Sequence, residues 1–219
     1  MSLFERLKAD APAAWSAYVS HDFVKQLGDG DLPLSAFKTY LVQDYLFLIQ
    51  YSRAYALAVY KSPTVDDMKV SLDGLNGIFS EMGLHLELCE GWGLSRADIE
   101  AAPELNQTMA YTRFVLEAGM AGDLLDLQTA LAPCVVGYAE IGAALSAQTG
   151  DLIEKNPYRR WIEEYASEGY QDLARAFGAW MDRTADVYLT EQRYERLQQT
   201  FEKATWLEAD FWQMGLDAK

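Results

Sequence analysis

The sequence predicts an all-α protein, and three observations lead to that fold class. Long segments repeat apolar residues with the 3.6-residue period of a helix, strand patterns are nearly absent, and the turns between segments are short. The chain has 219 residues, half of them apolar, which is enough for one domain with a substantial core. Because it shows no repeat and no long linker, we expect a single domain over residues 1–219, a bundle of about eight helices.

The first half of the chain is expected to hold three helices. The first runs from Leu3 to about Ser20 and ends before the turn Gly28–Pro33. The second runs from about Ser35 to Tyr60, with apolar or aromatic residues at helical spacing. The segment Thr64-Val-Asp-Asp67 has the pattern of a helix cap, so a third helix is expected from there to about Glu90, where two glycines stop it.

The second half is expected to hold five helices after a short turn capped by Ser95-Arg-Ala-Asp98. Each begins at a proline, an acidic or hydroxyl residue, or a glycine, which are typical of helix boundaries. The predicted spans are Pro103 to about Gly119, Asp123 to about Thr149, Pro157 to about Ser167, Gly169 to about Thr184 and Thr190 to about Met214.

The net charge of −15 restricts the partners of the chain. Nucleic-acid backbones are bound by clustered Lys and Arg, which an excess of 33 acidic over 18 basic residues does not favour. The N-terminus lacks a signal-peptide pattern, and charged or polar residues such as Asp44, Arg53 and Glu140 interrupt the longest apolar stretches. We therefore expect a cytoplasmic protein that binds neither nucleic acid nor membrane.

Cys134 stands in the most informative stretch of the chain. It follows Pro133 inside a helical pattern, and Tyr138 lies one helical turn further on. A proline inside a helix costs about 3 kcal/mol, and functional sites are one reason for such a broken rule. The other cysteine, Cys89, forms no Cys-x-x-Cys pair with it, which argues against zinc. The sequence leaves two interpretations of Cys134 open, a reactive thiol and an inert thiol beside a helix kink.

Several helices carry one polar group amid aromatic residues. Asp44, Phe47 and Tyr51 share a face of the second helix, and Glu208 precedes Phe211 and Trp212 in the last. Facing helices of this kind enclose an apolar pocket with a few polar anchors, which suits a flat, nitrogen-rich ring. The alternative is that each tyrosine is a core residue with its hydroxyl at the rim; this applies equally to Tyr111, Tyr138 and Tyr165.

Glu81 and His85 lie four residues apart on the third helix. Such a pair can bind a metal or form a side-chain hydrogen bond. The chain has only two histidines and lacks the paired Glu-x-x-His motifs of di-iron bundles. We therefore expect a hydrogen bond between Glu81 and His85, and no metal site.

These motifs, taken in order, resemble the TenA (thiaminase II) family, whose fold resembles haem oxygenase. The resemblance covers nearly the whole chain, and the order and spacing of the motifs are specific where each alone is weak. It rests on His21-Asp-Phe23, Gly30-Asp-Leu-Pro33, Tyr40-Leu-Val-Gln-Asp44-Tyr, Glu81-Met-Gly-Leu-His85, Ala110-Tyr111-Thr, Leu131-Ala-Pro-Cys134 with Tyr138 and Gly142, Asn156-Pro-Tyr-Arg-Arg-Trp161-Ile with Tyr165, and Glu208 with Phe211-Trp212.

The resemblance implies hydrolysis at the exocyclic carbon of a 4-amino-2-methylpyrimidine. The substrate would be thiamin or 4-amino-5-aminomethyl-2-methylpyrimidine, and the product 4-amino-5-hydroxymethyl-2-methylpyrimidine, salvaged for thiamin synthesis. Members are typically homotetramers that need no metal or other cofactor. By this resemblance Cys134 is the nucleophile and Glu208 the proton donor, while Asp44, Tyr138, Tyr111, Tyr165, Phe47 and Phe211 bind the substrate or line its pocket.

Position 47 departs from part of the family. Phe47 stands where some members carry a tyrosine that sharpens the reactivity of the thiol. A phenylalanine cannot hydrogen-bond a sulfur atom, so the resemblance implies a less activated Cys134 here. Two other classes of function remain open on the same scaffold. One is a metal- or cofactor-dependent oxidoreductase, and the other is a regulatory protein that binds the pyrimidine without catalysis.

Overall fold

The computed structural model describes residues 1–218, which form eleven α-helices, one 3-10 helix and no strand. The predicted all-α bundle is thereby confirmed; Lys219, the last residue of the predicted domain, lies outside the described residues. The α-helices are α1 (Leu3–Asp10), α2 (Pro12–Val19), α3 (Asp22–Asp29), α4 (Leu34–Lys61), α5 (Val65–Glu90), α6 (Arg96–Glu100), α7 (Asn106–Ala121), α8 (Leu124–Thr149), α9 (Arg159–Ala166), α10 (Glu168–Tyr188) and α11 (Glu191–Leu216), and the 3-10 helix spans Gly150–Lys155.

Helix α8 is the central helix of the bundle, and it contacts α7, α9, α10 and α11. Its predicted start is confirmed, because the Asp123 side chain accepts hydrogen bonds from the amides of Leu125 and Asp126. The helix continues without interruption through Pro133. By length and composition the helix could cross a membrane, but 61% of its most apolar stretch of 18 residues is buried inside the protein. That burial is what a core helix of the bundle requires.

The N-terminal segment differs from the prediction of one helix over residues 3–20. Pro12 divides it into α1 and α2, because the residue before a proline is disfavoured in the helical region and Ala11 accordingly has φ −124° and ψ 47°. A further helix, α3, occupies a segment for which no helix is predicted. The His21 side chain caps its start, and Gly30, at φ 80°, ends it in the left-handed region that favours glycine.

Two boundaries in the second half also differ. Helix α7 begins at Asn106 and not at Pro103, since Gln43 of α4 holds the preceding segment by accepting from the Leu105 amide and donating to the Pro103 carbonyl. Helix α10 continues to Tyr188, because Thr184 and Ala185 are buried and nothing after Thr184 breaks the helix. Helices α4 and α5 pack against each other along much of their length.

Candidate active site

Cys134 opens onto a cavity of about 350 Å³ between α4, α5, α8 and the start of α10. This volume lies within the range of small-molecule sites. Besides the thiol, the wall holds two kinds of side chain that matter for chemistry, tyrosines and carboxylates. These are Tyr51, Tyr55, Tyr170, Glu81 and Glu164.

Glu208 of α11 lies behind the thiol and is 2% exposed. Its Oε1 accepts a hydrogen bond of 2.7 Å from the Tyr111 hydroxyl of α7. Burial raises the pKa of the Glu208 carboxyl to about 8, against the smaller lowering effect of hydrogen bonds with Tyr111 and Cys134. The carboxyl group is therefore largely protonated at neutral pH, and its charge when ionised acts on the Cys134 thiol.

The Cys134 thiol is held in its protonated form. Burial, followed by the charges of Glu208, Glu81 and Asp44, raises its pKa well above the ordinary value, and the neighbouring Tyr51 hydroxyl lowers it in part. The Tyr51 hydroxyl donates its one proton to the Leu131 carbonyl at 2.9 Å. Tyr51 lines the same cavity as the sulfur, and it was not among the predicted site residues.

Asp44 of α4 is 3% exposed and is held by a chain of aromatic hydroxyl and indole groups. The Tyr40 hydroxyl donates to its Oδ2 at 3.0 Å, the Trp161 indole Nε1 donates to the Tyr40 oxygen at 3.2 Å, and the Tyr138 hydroxyl lies 3.4 Å from that oxygen. Burial, with a contribution from Glu81, raises the pKa of the Asp44 carboxyl well above its ordinary range. Tyr40 and Trp161 were not among the predicted site residues.

The predicted aromatic residues are buried and pack against one another, whereas Cys134 is the predicted site residue that lines the cavity. The Phe47 ring centroid lies 5.0 Å from that of Tyr51, 5.0 Å from that of Tyr111 and 5.6 Å from that of Phe211. The Tyr138 and Tyr165 rings are 4.9 Å apart. The structure thus gathers all eight predicted site residues in one region, and their individual roles stay predictions.

His85 does not form the predicted hydrogen bond with Glu81, so that prediction was wrong. The Tyr165 hydroxyl donates to Glu81 instead, and both ring nitrogens of the fully buried His85 lack a hydrogen-bond partner within residues 1–218. Its Nε2 lies 3.5 Å from Asp44 Oδ2. Burial lowers the pKa of His85 to about 3 and raises that of Glu81 to about 7. The sequence held no signal for the contact with Asp44, which joins facing helices.

Asp44, Glu81 and His85 each place one potential ligand atom within 4.8 Å of the others. Two carboxylates and a neutral imidazole are ligand types that divalent transition metals accept. This is the only group of that kind among the described residues.

The site is short of positive charge. No lysine or arginine is among the described residues that line the cavity, whereas Glu81 and Glu164 lie in its wall and Asp44 and Glu208 lie behind it. Buried carboxylates without a cation keep their protons or pair with a cationic ligand. The arrangement therefore favours a flat, cationic or proton-donating ligand and disfavours an anionic one.

Comparison with known proteins matches this chain to relatives along its whole length. An uncharacterised Haemophilus influenzae protein is 39% identical over 98% of this chain and 99% of its own. An aminopyrimidine aminohydrolase of Halalkalibacterium halodurans is 34% identical over 100% of this chain and 97% of its own. A solved TenA family transcription regulator from a Silicibacter species superposes with a TM-score of 0.92 at 46% identity, covering 98% of this chain and 96% of that one.

The fold is therefore the helical, haem-oxygenase-like bundle of the TenA structures. The model of the TENA/THI-4/PQQC family matches residues 9–218. The relatives, the superposed structure and the family model each cover nearly the whole chain. On these grounds the chain belongs to the TENA/THI-4/PQQC family.

Proposed function

We propose that this protein is an aminopyrimidine aminohydrolase of the thiaminase II type, acting in thiamin salvage. It would hydrolyse 4-amino-5-aminomethyl-2-methylpyrimidine, and thiamin as well, to 4-amino-5-hydroxymethyl-2-methylpyrimidine. The observation that carries the proposal is the Cys134 thiol, which opens onto a cavity lined by tyrosines and lies beside the buried, titratable Glu208 carboxyl. The aminohydrolase among the relatives supports the same reaction class.

In the first half of the reaction a C–S bond forms and the bond to the leaving group breaks. In the ionised fraction of the protein the Glu208 carboxylate takes the thiol proton, and the thiolate adds to a ring carbon next to the one that bears the exocyclic methylene. The electron pair returns through the ring and expels the amine from the methylene carbon. Glu208 then gives its proton to the departing amine, which makes it both base and acid.

In the second half water replaces the amine. Its oxygen bonds to the methylene carbon while its proton passes to the Glu208 carboxylate. The ring then expels the thiolate, which recovers a proton from Glu208. The net change is an aminomethyl group and water converted to a hydroxymethyl group and ammonia, with no oxidant or reductant needed.

The other groups of the site hold the ring. Asp44 can pair with the ring or amino nitrogens and stabilise the positive charge that develops there, while the Tyr40 hydroxyl keeps its orientation. We expect the faces of the ring to lie against the aromatic side chains that line the cavity, Tyr51, Tyr55 and Tyr170. The packed rings of Phe47, Tyr111 and Phe211 support Tyr51 from behind. The described lining holds no lysine or arginine, so a protonated substrate would lower the pKa of Glu208 and raise the fraction of the carboxylate that can take the thiol proton.

The test compares wild type, Cys134→Ala and Cys89→Ala on both substrates, following appearance of the hydroxymethylpyrimidine. Cys89 is the matched control because it is a buried cysteine of α5 that lies outside the cavity. We expect turnover by wild type and Cys89→Ala and none by Cys134→Ala. Retained turnover in Cys134→Ala would remove the nucleophile, and inactivity of folded wild type on both substrates would refute the hydrolase and favour a pyrimidine-binding protein.

A second candidate, a metal-dependent oxidoreductase, is favoured by one observation, the group of Asp44, Glu81 and His85. The neutral imidazole and the two carboxyl groups would hold a transition metal, which supplies redox or Lewis-acid chemistry when bound. Metal content of the purified protein, compared with that of His85→Ala, tests it. Stoichiometric metal that is lost in the variant would favour this candidate; substoichiometric metal in both would exclude it.

A further inference from the structure

His85 of α5 is fully buried, and the hydrolysis proposed above gives it no role. Neither of its ring nitrogens has a hydrogen-bond partner among residues 1–218. Buried polar groups are nearly always paired, because a group without a partner loses its hydration and gains nothing in return. The imidazole is therefore free to bind a ligand, and the side chain of Asp44 on the facing helix α4 lies next to it.

The spacing of these two side chains suits a shared metal ion better than a hydrogen bond. His85 Nε2 lies 3.5 Å from Asp44 Oδ2, whereas hydrogen bonds to oxygen from a nitrogen donor measure about 2.7–3.2 Å. Two ligand atoms that each lie about 2.0–2.2 Å from one tetrahedral ion are about 3.3–3.6 Å apart. The distance between His85 and Asp44 is therefore that of two ligands of one ion.

Glu81 supplies a third ligand. It lies one helical turn before His85, so both side chains project from the same face of α5. One potential ligand atom from each of Asp44, Glu81 and His85 lies within 4.8 Å of the other two. Two carboxylates and a neutral imidazole form a ligand set that divalent transition metals accept.

Neighbouring hydroxyl groups hold both carboxyl groups in place. The Tyr40 hydroxyl donates to Asp44 Oδ2 at 3.0 Å, and the Tyr165 hydroxyl donates to Glu81 Oε1. The second oxygen of each carboxyl group accepts no hydrogen bond within the described part of the chain. Carboxylates that bind metal ions commonly accept such hydrogen bonds, which fix their orientation. The two carboxyl groups are thus oriented before any ion arrives.

The cavity next to Cys134 gives an ion access to this group. Glu81 is both a lining residue of the cavity and a member of the group, so an ion in the cavity meets its first ligand there. No lysine or arginine is among the described residues that line the cavity. Buried carboxylates that lack a cationic partner favour binding one, because the pairing offsets their lost hydration.

We propose that Asp44, Glu81 and His85 bind a divalent transition-metal ion such as Co²⁺ or Zn²⁺, and that this ion inhibits the enzyme by competing with the pyrimidine for Asp44. The metal site stands on the geometry alone. The competition rests on the proposed hydrolase, in which Asp44 pairs with the ring or amino nitrogens. The metal-dependent oxidoreductase described above would instead need the ion for turnover.

The test measures Co²⁺ binding by calorimetry and by the visible absorption of the bound ion. His85→Asn and Glu81→Gln each remove one ligand, and glutamine keeps the shape of the Glu81 side chain. His21→Asn is the matched control, since His21 is the other histidine of the chain and asparagine can also cap α3. Cys134→Ala tests whether the thiol in the cavity binds the ion instead.

We expect one Co²⁺ per chain in wild type, His21→Asn and Cys134→Ala, without the charge-transfer band of a cobalt–thiolate bond. The affinity should fall about tenfold or more in His85→Asn and in Glu81→Gln. The hydroxymethylpyrimidine should displace the ion from wild type. In turnover of the aminomethylpyrimidine, Co²⁺ should raise the KM of wild type and leave kcat within about twofold.

Three results would overturn the metal site: no Co²⁺ binding by wild type, equal affinity in His85→Asn, or loss of binding in Cys134→Ala. A fall of kcat at unchanged KM, or turnover that rises with Co²⁺, would overturn the competition. Wild type that binds Co²⁺ but hydrolyses neither substrate would refute the hydrolase. Displacement of the ion by the hydroxymethylpyrimidine would still support the competition in that case.

Discussion

Replacing Tyr111 by phenylalanine tests how the structure sets the acidity of Glu208. The tyrosine hydroxyl donates a 2.7 Å hydrogen bond to the carboxyl group of Glu208, whose side chain is 2% exposed. Burial raises the pKa of Glu208 to about 8, and this hydrogen bond acts in the opposite direction. The phenylalanine ring keeps the shape of the wall and removes the donor. The carboxylate form therefore loses stabilisation, and the pKa of Glu208 must rise.

The size of that rise follows from the contact. A hydrogen bond to a charged group contributes about 1.5–3 kcal/mol, and a tenfold change in an acid dissociation constant corresponds to about 1.4 kcal/mol. We expect the Glu208 pKa to rise by about 1 to 2. Because the Glu208 carboxylate takes the thiol proton, kcat/KM should increase with pH through this pKa, and the acidic limb of the profile should move to higher pH. At pH values well below the limb, kcat/KM should therefore fall by about 10-fold to 100-fold.

The assay is the pH profile of kcat/KM for the aminomethylpyrimidine, measured on wild type, Tyr111→Phe and a control. Tyr194→Phe serves as the control, because the Tyr194 hydroxyl also donates to a carboxylate, Asp10 Oδ2 at 2.6 Å, but does so at the surface. Its profile should coincide with that of wild type. An acidic limb that stays in place in Tyr111→Phe, or that moves to lower pH, would refute the assignment of this limb to Glu208.

Three further predictions concern thiol activation, packing and assembly. Phe47→Tyr should raise turnover by adding a second hydroxyl near Cys134, and an unchanged or lower rate in a folded variant would contradict this. Gly142→Ala should lower the free energy of unfolding in urea by about 1–3 kcal/mol, because its Cβ would stand 2.5 Å from the Tyr165 carbonyl carbon. Gly178→Ala, which has open space around it, should raise the free energy of unfolding by about 0.5–1 kcal/mol. We propose a homotetramer that uses the exposed apolar face of α5 at Val65, Leu72 and Phe79. Light scattering should show four chains per particle for wild type and fewer for the double variant Leu72→Asp/Phe79→Asp. A monomeric wild type would exclude the tetramer.

The helices were predictable where local signals coincide. The limits of α8 followed from the Asp123 cap and the apolar period, and the cap at Thr64 was placed correctly. The break at Pro12 and the short helix α3 were missed although their signals, a proline and the pair of His21 and Gly30, are local too. The break at Pro12 was missed because the apolar period continues across it. Helix α3 was missed because its eight residues make too few turns for a helical period to be recognised.

By itself, the sequence determined the helical class, the order of the helices and the presence of an acid, a thiol and many aromatics among them. Helix period and capping depend on residues within a few positions of each other, which is why the chain alone reveals them. Only the tertiary structure decided that Tyr51 and Cys134 line the same cavity, that His85 lies against Asp44 and that Tyr111 donates to Glu208. Those contacts join different helices, up to 97 residues apart in the chain, and depend on how the packed helices cross and rotate, which no local pattern specifies.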